Sequence, residues 1–293
     1  MRPLKDLKKL LFGESSELSI IIERLKSDKP ALFGLAVIIL LVLMAVFADF
    51  ISPYDPNLQD LSRRLEPPSW EHPFGRDEFG RDILSRIIYG SRISLTVGVV
   101  VITISLLIGT ILGTLSGYIG GWVDTIIMRI ADIFLAFPGL LLAIGLTAVL
   151  GQSVFNVMAA LAIVNWPGYA RVIRSQILYI RGLEYVEAAR VMGSSNLRIL
   201  ASHVLPNSFA PLIVLATIGM GWAILAEAGL SFLGLGVQPP TPSWGSIIAA
   251  GRDFIFRAPH ITTIPGIVLA TSILAFNLFG DGLRDALDPK LRI

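Results

Sequence analysis

Long apolar runs alternate with shorter polar intervals along this chain, and the runs approach the length that a membrane demands. A helix needs about 20 mostly apolar residues to cross the hydrocarbon core. Six stretches fit: Ala31 to Ala48, Ile93 to Leu115, Ile133 to Leu150, Val154 to Ala170, Phe209 to Ala226 and Ile264 to Gly280. The second carries Gly, Ser and Thr, which let helix backbones approach closely. Only Gly151-Gln152-Ser153 separates the third from the fourth, which predicts an antiparallel hairpin. Asn156, Asn165 and Pro167 interrupt the fourth, and Pro138, Pro167 and Pro265 predict kinks or helix ends. A bilayer tolerates such breaks where neighbouring helices satisfy the freed carbonyls.

Composition strengthens this pattern into a class. Hydrophobic residues make up 54% of the 293 and charged ones 16%, with a mean hydropathy of +0.71, well outside the range of soluble domains. The expectation is an all-α integral membrane protein with six transmembrane helices. A net charge of +2, with basic residues scattered among carboxylates, excludes a nucleic-acid-binding face. With no cysteine, disulfides and thiolate chemistry are also excluded.

Charge placement predicts orientation. The first 30 residues hold too many charges ahead of the first apolar run for a cleaved signal peptide, and read as a cytoplasmic amphipathic lead. With the N-terminus inside, 16 of the 24 basic residues and all six lysines fall on the cytoplasmic side. The predicted organisation is a lead over 1–30, a first span over 31–50 and an extracytoplasmic segment over 51–92. A five-helix core follows over 93–283, containing a cytoplasmic loop at 171–208, and a cytoplasmic tail over 284–293 closes the chain.

That loop contains EYVEAARVMGSSNLRILASHVLP, Glu184 to Pro206, a polar stretch set between spans. Leu183 to Met192 has good helix formers up to Gly193, and Ser194 or Ser195 can cap a second short helix through Leu200. On the first helix Glu184, Ala188 and Val191 share a face, and Glu187 and Arg190 are spaced for an i,i+3 pair. Read from spacing alone, this is either a docking surface free of bulk or a solvated amphipathic loop.

The longer pattern narrows the choice. Glu187-Ala188-Ala189, Gly193 and Leu205-Pro206 together resemble the EAA loop of binding-protein-dependent ABC importer permeases, with His203 departing from the isoleucine often found there. The stretches His72 to Leu95, Met128 to Ile144, Phe232 to Gly245 and Phe276 to Lys290 are similar to the dipeptide and oligopeptide permease subfamily, specifically its second permease subunit. The resemblance runs from about 28 to 292. It implies a type I ABC importer permease fold, a MetI-like core with an extra N-terminal transmembrane helix. It also implies a homologous permease partner, two ATPase subunits that bind ATP and Mg, and an extracytoplasmic binding protein. In that family the loop couples to the ATPases, which assigns Glu187, Ala188, Ala189, Arg190, Gly193, Leu205 and Pro206 to the coupling site. ATP binding would turn the pore outward and hydrolysis would reset it. Di- or oligopeptides are the expected cargo, with nickel and oligosaccharides carried by close relatives.

Other chemistry-bearing residues fit around this reading. Arg129 and Asp132, three apart near a span end, predict a structural ion pair, because charges near a helix centre cost about 2.5 to 3.5 kcal/mol. Glu227, toward the outer end of the fifth span, either lines the translocation path or is an interfacial carboxylate. FGRDEFGRD, Phe74 to Asp82, has the spacing of a solvated, salt-bridged helix, and by resemblance lies outside, where it touches a partner. Gln238 to Trp244 reads as an extended Pro-rich loop with an interfacial Trp. No phosphate-cradling G-x-x-x-x-G-K-[ST] and no G-x-S-x-G turn occur. His72, His203 and His260 lie far apart in sequence on different predicted loops, which argues against a metal site or a catalytic pair. The chain is therefore expected to be no enzyme and to hold no cofactor of its own. An ion-coupled transporter, the rival from another class, would need intramembrane ionisable relays or paired broken helices.

Overall fold

The computed structural model describes residues 17–287; the lead up to residue 16 and the tail from 288 lie outside the described residues. Among the described residues regular structure is helical, with a single isolated bridge between Arg76 and Asp82. Helix α1 (Glu17–Ser27) stops at Asp28, whose carboxylate accepts from the Ala31 amide at 3.1 Å and so starts α2 (Lys29–Val46). A one-turn helix α3 (Ala48–Ile51) continues it past a break at Phe47.

Helix α4 (Ile83–Ile119) begins ten residues before the apolar run that announced it. Its 37 residues span about 55 Å, nearly twice the hydrocarbon thickness. Asp82 caps it by accepting from the Ser85 amide at 2.7 Å. The third expected span is not one straight helix. It is α5 (Gly121–Ala136) and α6 (Gly139–Leu150), bent by 92° at Phe137 and Pro138. Proline has no N–H to donate and forces the residue before it out of the helical region, and Phe137 sits at φ −101° and ψ 146°.

Helix α7 (Val154–Arg181) pairs with α6 across the Gly151 turn. Asn156, which interrupts the apolar run, donates to the carbonyls of Leu150 at 2.7 Å and Gly151 at 3.0 Å, closing the open end of α6. Two short helices follow, α8 (Glu184–Val191) and α9 (Asn196–Ile199), then a π-helical turn over Leu200–Val204 that runs into α10 (Leu205–Phe232). Helices α11 (Trp244–Gly251) and α12 (His260–Leu287) complete the described chain.

By length and composition, α2, α4, α10 and α12 qualify as spans, and the bent pair α5–α6 counts as a fifth if it crosses as one. Helix α7 has 28 residues, long enough to cross, yet it carries Pro167, three arginines and two asparagines. It is buried along much of its length by the other helices, with Leu161, Ala170, Ile173 and Ile177 fully enclosed.

The most extensive packing is between α4 and α7. Ser105, Gly109, Gly113 and Gly117 stand four apart on α4 and form one small-residue ridge. A methyl group added at Gly113 would lie 1.8 Å from Ile173 Cγ2 and 2.5 Å from the Ala170 carbonyl oxygen, so only glycine admits this approach. Helix α12 packs on α2 and α10, and a second core forms around Trp244. That tryptophan is not interfacial, as its Pro-rich neighbourhood suggested. It is fully buried, its indole N–H donates to the Ile87 carbonyl at 3.1 Å, and its amide donates to Ser94 Oγ at 3.2 Å.

Candidate docking segment and the buried polar clusters

The segment from Glu184 to Ile199 folds as a helix, a turn and a helix. Its first helix ends in a Schellman arrangement: the Ser194 amide donates to the Ala189 carbonyl at 3.1 Å and the Gly193 amide to the Arg190 carbonyl at 3.0 Å. Gly193 sits at φ +83°, where a side chain is strained. Ser195, rather than Ser194, caps the second helix by accepting from the Arg198 amide at 3.4 Å.

The segment has one face inward and one outward. Val186, Ala189 and Ile199 are buried against the core, whereas Glu184, Glu187, Ala188 and Arg190 are exposed. At the turn the apolar residues Val191, Met192 and Leu197 are 88%, 79% and 75% exposed, a hydrophobic tip that this chain leaves uncovered. The expected i,i+3 ion pair is not made: Glu187 and Arg190 have no ion-pair partner among the described residues. Both point away from the body of the protein, where hydration competes with so weak a pair.

Leu205 and Pro206 open α10. Pro206 lacks an N–H and clashes with the carbonyl four residues back in a regular helix, and the π turn relieves the conflict by making room for one extra residue. The Leu205 amide reaches back to the Leu200 carbonyl, Asn207 Nδ2 donates to the His203 carbonyl at 2.6 Å, and Ser208 Oγ donates to the Val204 carbonyl at 2.7 Å. His203 lies in this turn with its ring edge-on to Tyr185, centroids 6.2 Å apart. An open cavity of about 750 Å³ adjoins the segment, with Tyr179, Tyr185, Asn207 and Arg284 on its wall.

Glu227 is wholly enclosed within the chain. Its Oε1 accepts from Ser231 Oγ at 2.6 Å and from Ser243 Oγ at 2.9 Å. Ser243 is the N-cap of α11, so the carboxylate pins that helix onto α10. Sequence spacing could not show this, because Ser243 is 16 residues away.

The 52–82 segment is not a solvated helix. Each half of FGRDEFGRD makes a turn at a glycine of positive φ, Gly75 at +78° and Gly80 at +72°. Asp77, Arg81, Asp82 and Arg86 are buried rather than solvated. Arg81 Nε donates to Asp77 Oδ2 at 2.6 Å, and Arg86 Nη1 to the Pro56 carbonyl at 3.1 Å. Burial, with a smaller contribution from the neighbouring Asp77 charge, pushes the Glu78 carboxyl above its ordinary value of 4.5.

His72 and His260, far apart in sequence, converge on one arginine. Arg76 Nη2 donates to His72 Nε2 at 2.7 Å, which leaves Nδ1 of His72 as the donor to Asp82 Oδ1 at 2.8 Å. His260 Nε2 lies 3.4 Å from the Arg76 carbonyl. No cluster of metal-ligating side chains occurs among the described residues.

The expected Arg129–Asp132 pair is replaced by one between helices. Asp132 pairs with Arg171 of α7, and Asp124 receives Arg174 in a bidentate pair at 2.6 Å and 2.6 Å, with Ser116 Oγ also donating to Asp124. The bend at Pro138 lets α5 run beside α7, which offers a better-placed arginine than the helix itself does.

Comparisons with known proteins agree along most of the chain. Residues 109–293 match the family described as binding-protein-dependent transport system inner membrane component, and residues 16–68 match the N-terminal TM domain of oligopeptide transport permease C. A dipeptide transport system permease protein DppC of Alkalihalophilus pseudofirmus is 48% identical, over 92% of this chain and 89% of that protein. A di/tripeptide transport system permease protein DppC of Pseudomonas aeruginosa is 47% identical, over 90% and 89%. A glutathione transport system permease protein GsiD of Escherichia coli is 45% identical, over 92% and 89%. Among solved structures, an amino acid ABC transporter crystallised with histidines shares the fold at a TM-score of 0.54 and 16% identity, over 70% of this chain and 95% of that one.

Proposed function

Since the chain belongs to the family of binding-protein-dependent transport system inner membrane components, we propose that it forms half of a translocation pore for short peptides and takes its energy through the Glu184–Ile199 segment. The cargo class rests on relatives named for dipeptides, for di- and tripeptides and for glutathione, which share a short peptide-like backbone. The pore is completed by a homologous permease subunit in the bilayer. Two ATPase subunits bind and hydrolyse ATP with Mg on the cytoplasmic side, and a binding protein delivers cargo from the other side. This chain performs no chemistry. The lysine distribution supports an orientation with both termini in the cytoplasm, and six crossings follow if α7 spans and α5–α6 counts as one.

The observation that carries the coupling reading is the uncovered apolar tip Val191, Met192 and Leu197, held on a turn that only Gly193 makes without strain. An apolar tip flanked by charge is the form of a helix that docks in a groove. Glu187, Ala188 and Arg190 flank the tip, Ala189 anchors the segment from behind, and Leu205 and Pro206 set its junction with α10.

Two substitutions test the reading. Apart from its chain neighbours, no described residue has an atom within 4 Å of a Cβ at Gly193, so Gly193→Trp strains the turn by about 1 to 3 kcal/mol and obstructs the outer surface without disturbing the core. Gly193→Trp and Glu187→Lys should reach normal membrane levels yet lose uptake of radiolabelled dipeptide and co-purify less ATPase. Glu23→Gln, at an exposed position of α1, should behave as wild type. Normal uptake by both loop variants at normal expression would remove the coupling reading.

A further inference from the structure

Helix α4 ends at Ile119, so the carbonyls of Gly117 and Tyr118 have no donor from their own helix. Arg181, in the last turn of α7, supplies it: Nη1 donates to Gly117 at 3.1 Å and to Tyr118 at 2.9 Å. The guanidinium carbon of Arg181 lies 5.9 Å from the centroid of the Tyr118 ring. That ring is half-buried against the main core and extends its hydroxyl to the Asn196 carbonyl at 2.8 Å, with Asn196 Oδ1 at 3.3 Å. Asn196 is the first residue of α9, beside the docking turn.

Three elements therefore meet at one side chain: the end of α4, the end of α7 and the start of α9. Among the described residues this hydroxyl makes the only side-chain hydrogen bond from Glu184–Ile199 to a helix outside that segment. The rest of its anchorage is apolar packing through Val186, Ala189 and Ile199, the edge-on contact of Tyr185 with His203, and the backbone that runs from α9 through the π turn into α10. Its partner helix α4 is continuous over 37 residues and packs on α7 through the glycine ridge, while Ser116 Oγ of α4 donates to Asp124 of α5, which Arg174 of α7 holds in a bidentate pair. At its far end α4 is tied into the 52–82 segment through Asp82 and through Arg86 on the Pro56 carbonyl. A displacement at Asn196 can reach the opposite face of the protein without crossing a loop.

We infer that Tyr118 is a positioning residue for energy coupling, its hydroxyl holding the docking segment to the end of α4 so that movement of the segment is delivered to that helix. The inference rests on the docking reading above. The hydroxyl touches neither cargo nor nucleotide; it acts through Asn196. One net hydrogen bond shifts an equilibrium between two conformations by about fivefold.

The test uses the whole transporter, with both permeases and both ATPases in proteoliposomes and the binding protein loaded with dialanine. Tyr118→Phe keeps the ring and the Arg181 contact and removes only the hydroxyl. It should assemble at wild-type stoichiometry and show wild-type basal ATP turnover, while binding-protein-stimulated turnover and dialanine uptake fall about fivefold. Tyr118→Phe with wild-type stimulation and uptake overturns the inference. Loss of the ATPases from Tyr118→Phe on purification also overturns it, because the residue would then be a static part of the docking surface. The two readings fail differently: normal transport by Gly193→Trp and Glu187→Lys removes the docking reading, whereas normal stimulation in Tyr118→Phe alone removes only the strut.

Discussion

Gly113 offers the most direct measurement of what holds the bundle together. Alanine there brings its methyl to 1.8 Å from Ile173 Cγ2 and 2.5 Å from the Ala170 carbonyl oxygen. The isoleucine methyl can rotate away, but the carbonyl belongs to α7 itself and cannot. Restoring an ordinary carbon–oxygen contact of about 3.2 to 3.4 Å therefore parts α4 and α7 by roughly 0.7 to 0.9 Å at this point, and a gap near 1 Å forfeits a quarter to a half of each dispersion contact across the seam. Overpacking of this kind costs about 1 to 3 kcal/mol. For a chain of this size that corresponds to an apparent melting temperature lower by roughly 2 to 12 °C, read by tryptophan fluorescence in detergent at a fixed heating rate, since unfolding of such proteins is often irreversible. Ile173→Ala added to Gly113→Ala should recover only part of the loss, because the carbonyl contact remains. Gly266, where an added methyl meets no described residue within 4 Å beyond its chain neighbours and its own helix backbone and φ is not positive, is the control, and Gly266→Ala should not lower the melting temperature. A Gly113→Ala protein that melts with wild type would refute the close approach.

Topology is testable because the chain has no native cysteine. In intact cells Trp70→Cys should react with a membrane-impermeant thiol reagent and Val191→Cys only after lysis; both positions are highly exposed, and the reverse pattern would invert the orientation. Glu78 gives a pH signature. Its carboxyl titrates higher in the folded than in the unfolded chain, so the folded state binds more protons above pH 4.5 and wild type loses stability as pH rises through that interval. Glu78→Gln should therefore gain in melting temperature relative to wild type as pH rises above 4.5; a difference that stays constant with pH would exclude burial as the cause.

Of the six expected spans, the apolar runs made legible four that qualify by length and composition, and a fifth if the bent α5–α6 pair counts as one, because hydrophobicity over about 20 residues is nearly the whole requirement of a bilayer. Helix boundaries were less so. Ile83 to Arg92 fell in the expected extracytoplasmic segment ahead of the predicted span, yet it forms the first turns of α4, where Arg86 is buried and Arg92 reaches the Ala45 carbonyl and Asp49, contacts that no local pattern contains. The Glu184–Ile199 segment was readable to the level of the cap, since glycine at a helix end and serine before the next one are local rules. The absent Glu187–Arg190 pair shows the limit of such rules: spacing permits a pair, and solvent decides it. Partners of buried charges were the least legible. Arg171 found Asp132 across 39 residues and Glu227 found Ser243 across 16, distances fixed only by how the helices assemble.

The wide turn at Leu200–Val204 has a geometric consequence for the docking segment. Along Ile199, Val204, Ser208 and Leu212, all fully buried, the first step is five residues and the next two are four. A regular helix turns about 100° per residue, so without the extra residue Ile199 would point about a quarter-turn away from the core while Val204 still faced it. The turn thus resets the phase between the Glu184–Ile199 segment and α10. Deleting one residue from 200–204 would leave composition and hydropathy almost unchanged and still aim the apolar tip in the wrong direction, so lineages of this chain should accept substitutions there far more readily than a change of length.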